Sequence, residues 1–275
     1  MIGANADFQN EGIVVAARAA GPVRMIEWSG ELIALGVLTV FAAYFTFGLA
    51  GFGSSLLCVP VLSQFLPLTF LLPVCLALDF AASLQTGWRA TGAADLRELR
   101  WTLPPTLIGT IAGALLLVHL PQQWLLGALG LFTLGYAVYL LGRLRAGQPT
   151  LAPASQWWAL PAGAAGGLMG SALGVPGPMY VIYLTRRIAD KACFQATLAR
   201  VLVAHFFIRI VVFALAGLYA QPQLWPAIAL LLPVSVAGVW LGMHVQLRLP
   251  HRLFFQLIAL LLLVVGVALC ARVFA

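Results

Sequence analysis

The sequence predicts an all-α, polytopic membrane helix bundle. It is an inverted repeat of two four-segment units, each opening with a Gly/Pro-broken, re-entrant-like hairpin. Three observations support this prediction. The 275 residues are 62% hydrophobic and 8% charged, whereas a soluble domain carries about 25% charged residues. A cluster of glycine and proline interrupts an apolar segment twice. The basic loops change sides between the two halves of the chain.

The composition indicates helical membrane spans and excludes several other classes. Mean hydropathy is +1.00, and a span needs about 20 apolar residues, so we expect roughly seven to nine of them. The alternating pattern of a membrane barrel is absent. The net charge of +7 forms no dense basic face, so we expect no nucleic-acid partner. The four cysteines are scattered without metal-ligand spacing, which argues against a metal site.

We divide the chain into an N-terminal tail (1–28), a first membrane repeat (29–142), a cytoplasmic linker (143–156) and a second membrane repeat (157–275). Apolar segments and the turn residues between them define the expected helices. In the first repeat these cover 32–47, 56–66, 71–91, 101–120 and 124–141; in the second they cover 157–184 with its break, 192–218, 225–245 and 253–269.

The two breaks, at 48–60 and 166–178, lie at matching places in the halves. Each contains the pattern Gly-Leu-x-Gly, starting at Gly48 and 119 residues later at Gly167. Four further residue pairs recur at a single spacing of 129 residues, and such repetition indicates an internal duplication. The Gly-x-x-x-Gly pairs among them are typical of close helix packing. The residues that recur after 129 positions are Pro104 and Pro233, Gly109 and Gly238, Gly113 and Gly242, and Pro121 and Pro250.

Loop charges predict that the two halves have opposite orientations. The loop at 89–100 carries three arginines, and its counterpart at 219–224 carries no basic residue. Conversely, Arg186, Arg187 and Lys191 follow the second hairpin, while the loop after the first hairpin has none. Cytoplasmic loops carry the excess of Lys and Arg, so this exchange predicts inverted repeats in a multi-pass inner-membrane protein. Whether 32–47 crosses fully or forms half a hairpin stays open.

The hairpin breaks favour an anion site. Backbone exposed at membrane depth is tolerated only against protein or a water-filled cavity. Free N–H groups, hydroxyls and the positive end of a helix dipole attract anions there, and glycine permits close approach. We therefore predict that the following residues bind substrate: Gly51, Gly53, Ser54, Ser55, Gly170, Ser171 and Gly174.

Ionisable residues at membrane depth are the second signal. Arg200, His205 and Arg209 lie on one predicted helix, and a charge at the bilayer centre costs at least about 2.5 kcal/mol, so such residues are usually functional. We predict that all three bind the anion. Asp79 is the acid at comparable depth in the first half. We expect an Asp79–Arg200 pair, and Asp79 or His205 as the carrier of a coupling proton.

The two Gly-Leu-x-Gly copies, each followed by a Ser/Gly-rich step and Val-Pro (Val59-Pro60 and Val175-Pro176), resemble the sulfite exporter TauE/SafE family of membrane transporters. The resemblance covers 30–272. It implies that the two motifs serve the movement of sulfite, of sulfonates such as sulfoacetate, or of related small organic anions across the cytoplasmic membrane. The family often has a denser glycine run at the first motif, where this chain has Gly53-Ser54-Ser55.

We therefore predict a secondary transporter of small anions, foremost sulfite or organosulfonates such as sulfoacetate, bound between the two broken hairpins near the membrane midplane. The alternatives are an anion channel of the same fold and a transporter of short carboxylates. A nucleotide-binding GxxxxGK[ST] run is absent. An enzyme would need a clustered acid/base or metal set, so we expect no catalytic residue and no cofactor. The expected partners are the anion and the lipid bilayer. A coupling proton or sodium ion, a homodimer and the direction of transport stay open.

Overall fold

The computed structural model describes residues 30–89, 93–145 and 154–245, together with 259, 260, 262–264 and 266–271. All regular structure in these ranges is helical, so the predicted all-α fold is confirmed. The predictions for the tail (1–28) and for most of the last helix (253–269) lie outside the described residues.

Nine helices and two short 3₁₀ turns follow one another between residues 30 and 245, and the described residues among 259–271 are helical as well. The turns are Gln156–Trp158 and Leu218–Ala220. The helices are α1 (Gly30–Ala50), α2 (Ser54–Leu62), α3 (Leu68–Arg89), α4 (Leu96–His119), α5 (Gln122–Arg145), α6 (Ala159–Leu173), α7 (Gly177–Leu184), α8 (Lys191–Leu215) and α9 (Leu224–Val245).

Aspartate caps fix where two of the long helices begin. The side chain of Asp95 accepts hydrogen bonds from the backbone N–H groups of Arg97 and Glu98 at the start of α4. Asp190 accepts one from Cys193 at the start of α8. Such caps satisfy N–H groups that have no partner within the helix. Helix α4 therefore starts five residues before the predicted position 101, because its first turn is polar and hydropathy alone did not reveal it.

In the part of the chain that the structure describes, five helices are long and apolar enough to cross a membrane: α1, α3, α4, α8 and α9. Their outer surfaces carry bare apolar side chains, such as Leu38 and Ile108, which are 68% and 69% exposed. Lipid rather than water suits such a surface. Helix α1 has 21 residues, which gives it the length of a complete span, whereas its counterpart α6 has 15.

The two halves exchange packing partners. Helix α1 packs against α9 and helix α6 against α4, while α3 and α8 pack together at the centre. A methyl group on Gly242 would collide with the carbonyl oxygen of Phe45, and one on Gly109 with that of Ala164. The predicted close packing at these glycines is therefore confirmed. The exchange is the pattern that an inverted duplication would produce, and the inversion itself stays a prediction.

Two loops predicted to be cytoplasmic meet at one end of the bundle. The backbone N–H of Asp95 donates to Thr197 Oγ1 over 2.9 Å. Nearby, Arg187 pairs with the buried carboxylate of Glu98, with Nη2 2.7 Å from Oε1, and Tyr183 donates to the other carboxylate oxygen. The hydrogen bond with Glu98 raises the pKa of Arg187. This Glu98 cluster joins the start of α4 to the end of the second hairpin.

Candidate functional site

The first break is a two-glycine turn between α1 and α2. Gly51 and Gly53 adopt positive φ angles of 80° and 102°, a conformation that side chains disfavour. Helix α2 begins directly afterwards at Ser54, and both Ser54 and Ser55 are buried. The break therefore presents two hydroxyl groups at a helix N-terminus, as the sequence predicts.

Both hydroxyls are already engaged by the protein's own carboxylate. Ser54 Oγ donates to Asp79 Oδ1 and Ser55 Oγ donates to Oδ2, each over 2.6 Å. Tyr44 adds a third hydrogen bond, from its hydroxyl to Oδ1 over 2.8 Å. Asp79 is 1% exposed. In this structure the anion at the first break is thus Asp79 itself.

The second break has a different construction. Helix α6 ends at Leu173, Gly174 follows with a φ of 79°, and α7 starts at Gly177. The two breaks touch, because a methyl group on Gly177 would lie 3.0 Å from the ring of Phe52. Ser171 is completely buried, and its Oγ has no hydrogen-bond partner.

A small pocket lies where the two breaks meet. Its empty space is about 260 Å³, the open mouth included. The pocket is polar only along one wall, formed by Asp79 and the serines that bind it, and is otherwise apolar. This inter-hairpin pocket is lined by Phe47, Phe52, Gly53, Ser54, Ser55, Leu56, Asp79, Val175, Pro176, Gly177, Pro178, Leu202 and Phe206.

His205 lies behind the second break. Its Nδ1 is 3.3 Å from the hydroxyl of Tyr180, which in turn is 3.0 Å from Thr106 Oγ1. Its Nε2 has no hydrogen-bond partner. A methyl group on Gly170 would lie 2.6 Å from that nitrogen, so the imidazole occupies the space that this glycine leaves free.

Arg209 is the buried cation of the site. The residue is 1% exposed, and its guanidinium carbon lies 4.8 Å from the centre of the Phe213 ring. Neither Nε nor Nη2 has a hydrogen-bond partner. No Arg209 nitrogen comes within 4.0 Å of a carboxylate oxygen in the described residues.

Arg200 lies outside this buried site, so the expected Asp79–Arg200 pair is wrong. Arg200 is exposed, whereas Arg209 is buried on the same helix. Nine residues separate them, and at 3.6 residues per turn nine residues correspond to two and a half turns. The two arginines therefore point to opposite sides of α8. Of the other two residues predicted on this helix, His205, four residues before Arg209, shares its face, and Arg200 does not.

Sequence reasoning missed the aromatic members of the site. Tyr44 binds Asp79, Tyr180 binds His205, and Phe52 and Phe206 line the inter-hairpin pocket. For the tyrosines a signal existed, because a hydroxyl inside an apolar helix needs a partner. For the phenylalanines none existed, since this composition supplies many equivalent rings. No group of three His, Cys, Asp or Glu residues that could hold a metal ion occurs in the described part of the chain.

The comparisons with known proteins agree with this architecture. The model of the sulfite exporter TauE/SafE family matches residues 36–269. A curated relative from Comamonas testosteroni, described as a probable inner membrane transporter protein TsaS, is 27% identical over 185 residues, which is 65% of this chain and 75% of that protein. No solved structure matches the chain. With its membrane-length helices and a family match over most of its length, the chain belongs to the sulfite exporter TauE/SafE family, a family of membrane transporters rather than enzymes.

Proposed function

We propose that this protein is a secondary transporter of small anions, foremost sulfite or organosulfonates such as sulfoacetate, and that the anion binds between the two broken hairpins. One observation carries the proposal. Arg209 does not itself line the pocket, but it follows pocket-lining Phe206 by about one helical turn, and its fully buried guanidinium has two hydrogen-bond donors without a partner. A buried charge without a hydrogen-bond acceptor is costly, so an acceptor brought by the substrate would offset that cost.

The two free donors favour a particular kind of anion. Nε and Nη2 form one edge of the planar guanidinium, and that edge matches two oxygens of a carboxylate, sulfonate or sulfite group. Arg209 follows pocket-lining Phe206 by three residues and Leu202 by seven, so all three share one face of α8. The edge therefore lies one turn from the pocket wall, within reach of a small anion.

The second break supplies further polar groups. Ser171 Oγ and His205 Nε2 are buried and lack partners, and both belong to the predicted set of anion ligands. We assign them, with the glycines of both breaks, to the path of the anion. Arg200 is assigned no contact with the anion in this arrangement, because it lies on the other face of α8. The pocket is also narrow, with about 20 Å³ of space for the centres of water-sized molecules, which favours an anion of only a few heavy atoms.

The family and the relative support the proposed class of substrate and the proposed membrane location. The family's description names sulfite export, and the relative's name places that protein in the inner membrane. We extend both statements to this chain: a multi-pass inner-membrane protein that moves a sulfur-containing anion. Coupling to a proton or a sodium ion, and assembly as a homodimer, are compatible extensions.

Ligand-induced stabilisation of the purified protein tests the proposal. A ligand that binds only the folded state raises its stability by RT ln(1 + [L]/Kd). The panel is sulfite, sulfate, sulfoacetate, taurine, acetate and pyruvate. We expect stabilisation by sulfite and sulfonates in the wild type and its loss in Arg209→Gln. Stabilisation lost in Arg200→Gln but kept in Arg209→Gln would overturn the assignment of Arg209, and an unresponsive wild type would overturn the proposed function.

A further inference from the structure

We infer that the anion binds together with one proton, and that Asp79 accepts this proton because the incoming anion replaces it as the counter-charge of Arg209. The inference rests on the proposed function and deepens it by assigning the coupling step to a named group. According to this inference, binding of the anion and protonation of Asp79 are coupled and occur together.

The first support is that the two charges compensate each other without touching. Asp79 and Arg209 are both about 1% exposed. Asp79 lines the inter-hairpin pocket and Arg209 lies one turn of α8 beyond pocket-lining Phe206, yet the two make no ion pair within 4.0 Å. Every oxygen of Asp79 is bound by hydroxyls, whereas two nitrogens of Arg209 are unbound. Arg209 can therefore donate hydrogen bonds to a second anion. The Asp79 carboxylate lies beside the position that this anion would occupy.

Charge balance supplies the second support. Without substrate, one negative and one positive charge sum to zero in the buried site. Adding a monovalent anion would leave two negative charges beside one positive charge, in surroundings of low polarity where like charges repel strongly. A proton from the aqueous solution that forms an O–H bond on Asp79 restores neutrality. Protonated Asp79, the anion and Arg209 then again sum to zero.

The groups around Asp79 make it the proton acceptor. It lines the inter-hairpin pocket, so a proton can reach it by the route of the anion. No other acid in the described residues faces it, and the ionisable side chain of α9, His244, is exposed at that helix's end. The groups that do face Asp79 are the hydroxyls of Tyr44 on α1 and of Ser54 and Ser55 on α2, the thiol of Cys75 on α3 and the guanidinium of Arg209 on α8.

Protonation would also loosen the first break. Asp79 in its charged form accepts three hydroxyl donors, two of them from the first turn of α2. A neutral carboxyl group accepts weaker hydrogen bonds and must itself donate one. At least one of the three hydroxyls would have to turn away or become an acceptor. Anion binding on α8 is thereby transmitted to the hairpin of the other half.

The test is calorimetric titration of the purified full chain with methanesulfonate, whose single charge does not change between pH 5.5 and 8. Repeating the titration in buffers of different ionisation enthalpy counts the protons taken up. We expect about one proton per anion, and an affinity that falls about tenfold per pH unit where free Asp79 is ionised. Asp79→Asn should bind methanesulfonate without proton uptake and independently of pH. Glu98→Gln, the matched change at a buried acid outside the pocket, should keep the proton uptake.

The outcomes separate this inference from the proposed function. Binding by the wild type without proton uptake would overturn the inference and leave anion binding intact. Proton uptake that persists in Asp79→Asn would overturn it too, and would point to His205. Stronger binding with sodium but without proton uptake would replace the proton by a metal ion. Absence of methanesulfonate binding would overturn both the inference and the proposed sulfonate site.

Discussion

At the scale of single residues, the site is defined by which buried polar atoms have partners. Asp79 has three hydroxyl donors, whereas Arg209, His205 and Ser171 keep free polar atoms. The sequence revealed all of these residues, because charged and hydroxyl groups in an apolar chain are conspicuous. It did not reveal that the serines of the first break bind Asp79, since nothing local fixes how α2 faces α3.

The serine hydrogen bonds predict a measurable loss of stability. A hydrogen bond to a charged group contributes about 1.5–3 kcal/mol, so Ser54→Ala and Ser55→Ala should each lower the free energy of unfolding by that amount. The matched control is Ser63→Ala, whose hydroxyl donates only to a backbone carbonyl three residues away and should cost about 1 kcal/mol or less. Thermal unfolding in detergent measures all three, and equal losses would contradict the role given to Asp79.

Substitution of Gly170 should reduce transport. A methyl group there would meet His205 Nε2 at 2.6 Å, so Gly170→Ala should displace the imidazole and reduce anion uptake at least about tenfold, because small misplacements at a site are costly. Gly135→Ala is the control, since a methyl group on Gly135 meets no atom within 4 Å. Uptake by vesicles compares the two variants, and unimpaired uptake by Gly170→Ala would remove His205 from the anion's path.

At the scale of helices, glycines set how closely the two halves pack. Gly109 and Gly113 on α4 touch the backbone of α6, and Gly238 and Gly242 on α9 touch that of α1. Repeat spacing in the sequence predicted these equivalences. Which face of α8 is buried could not be predicted, because that helix is apolar all round and has no distinct polar face. That is why Arg200 and Arg209 could not be told apart.

Close packing of α4 on α6 predicts that Gly109→Ala is destabilising. The added methyl group would collide with the Ala164 backbone, which cannot move as a side-chain end would, and overpacking of this kind costs about 1–3 kcal/mol. Gly36→Ala on α1 has open space and should be neutral or stabilise the helix by up to about 1 kcal/mol. Unfolding curves of the two variants that coincide would contradict this packing.

The Glu98 cluster lies at the end of the second hairpin, and breaking it should lower the free energy of unfolding. Arg187→Met would leave the buried Glu98 carboxylate with Tyr183 as its remaining side-chain donor. Because Arg187 is partly exposed, we expect a loss of about 2 kcal/mol. Adding Glu98→Gln should recover part of it, since no buried charge then lacks its partner. Thermal unfolding of the single and double variants measures this recovery, and an additive loss would contradict the pairing.

At the scale of the whole molecule, two unlike breaks meet at one pocket. The first holds the carboxylate of Asp79 at the start of α2, and the second lies beside His205 and the buried Ser171 hydroxyl, which has no hydrogen-bond partner. The duplication and the alternating charges predicted that the breaks correspond. They could not predict this division of roles, because the two breaks differ in the residues that follow their glycines. Serines stand at 54 and 55, whereas the second break has Val175 and Pro176 between its turn glycine and α7.

The most direct measurement is counterflow of labelled sulfite in proteoliposomes loaded with unlabelled sulfite, comparing the wild type with Arg209→Gln. A carrier with its anion at Arg209 predicts saturable uptake that internal sulfite accelerates, and its loss in the variant. The loss of uptake should persist when the proteoliposomes contain equal amounts of folded wild-type and variant protein. Equal counterflow in both proteins would contradict the binding of the anion by Arg209. Flux that neither saturates nor responds to internal sulfite would contradict the transporter mechanism and indicate a channel.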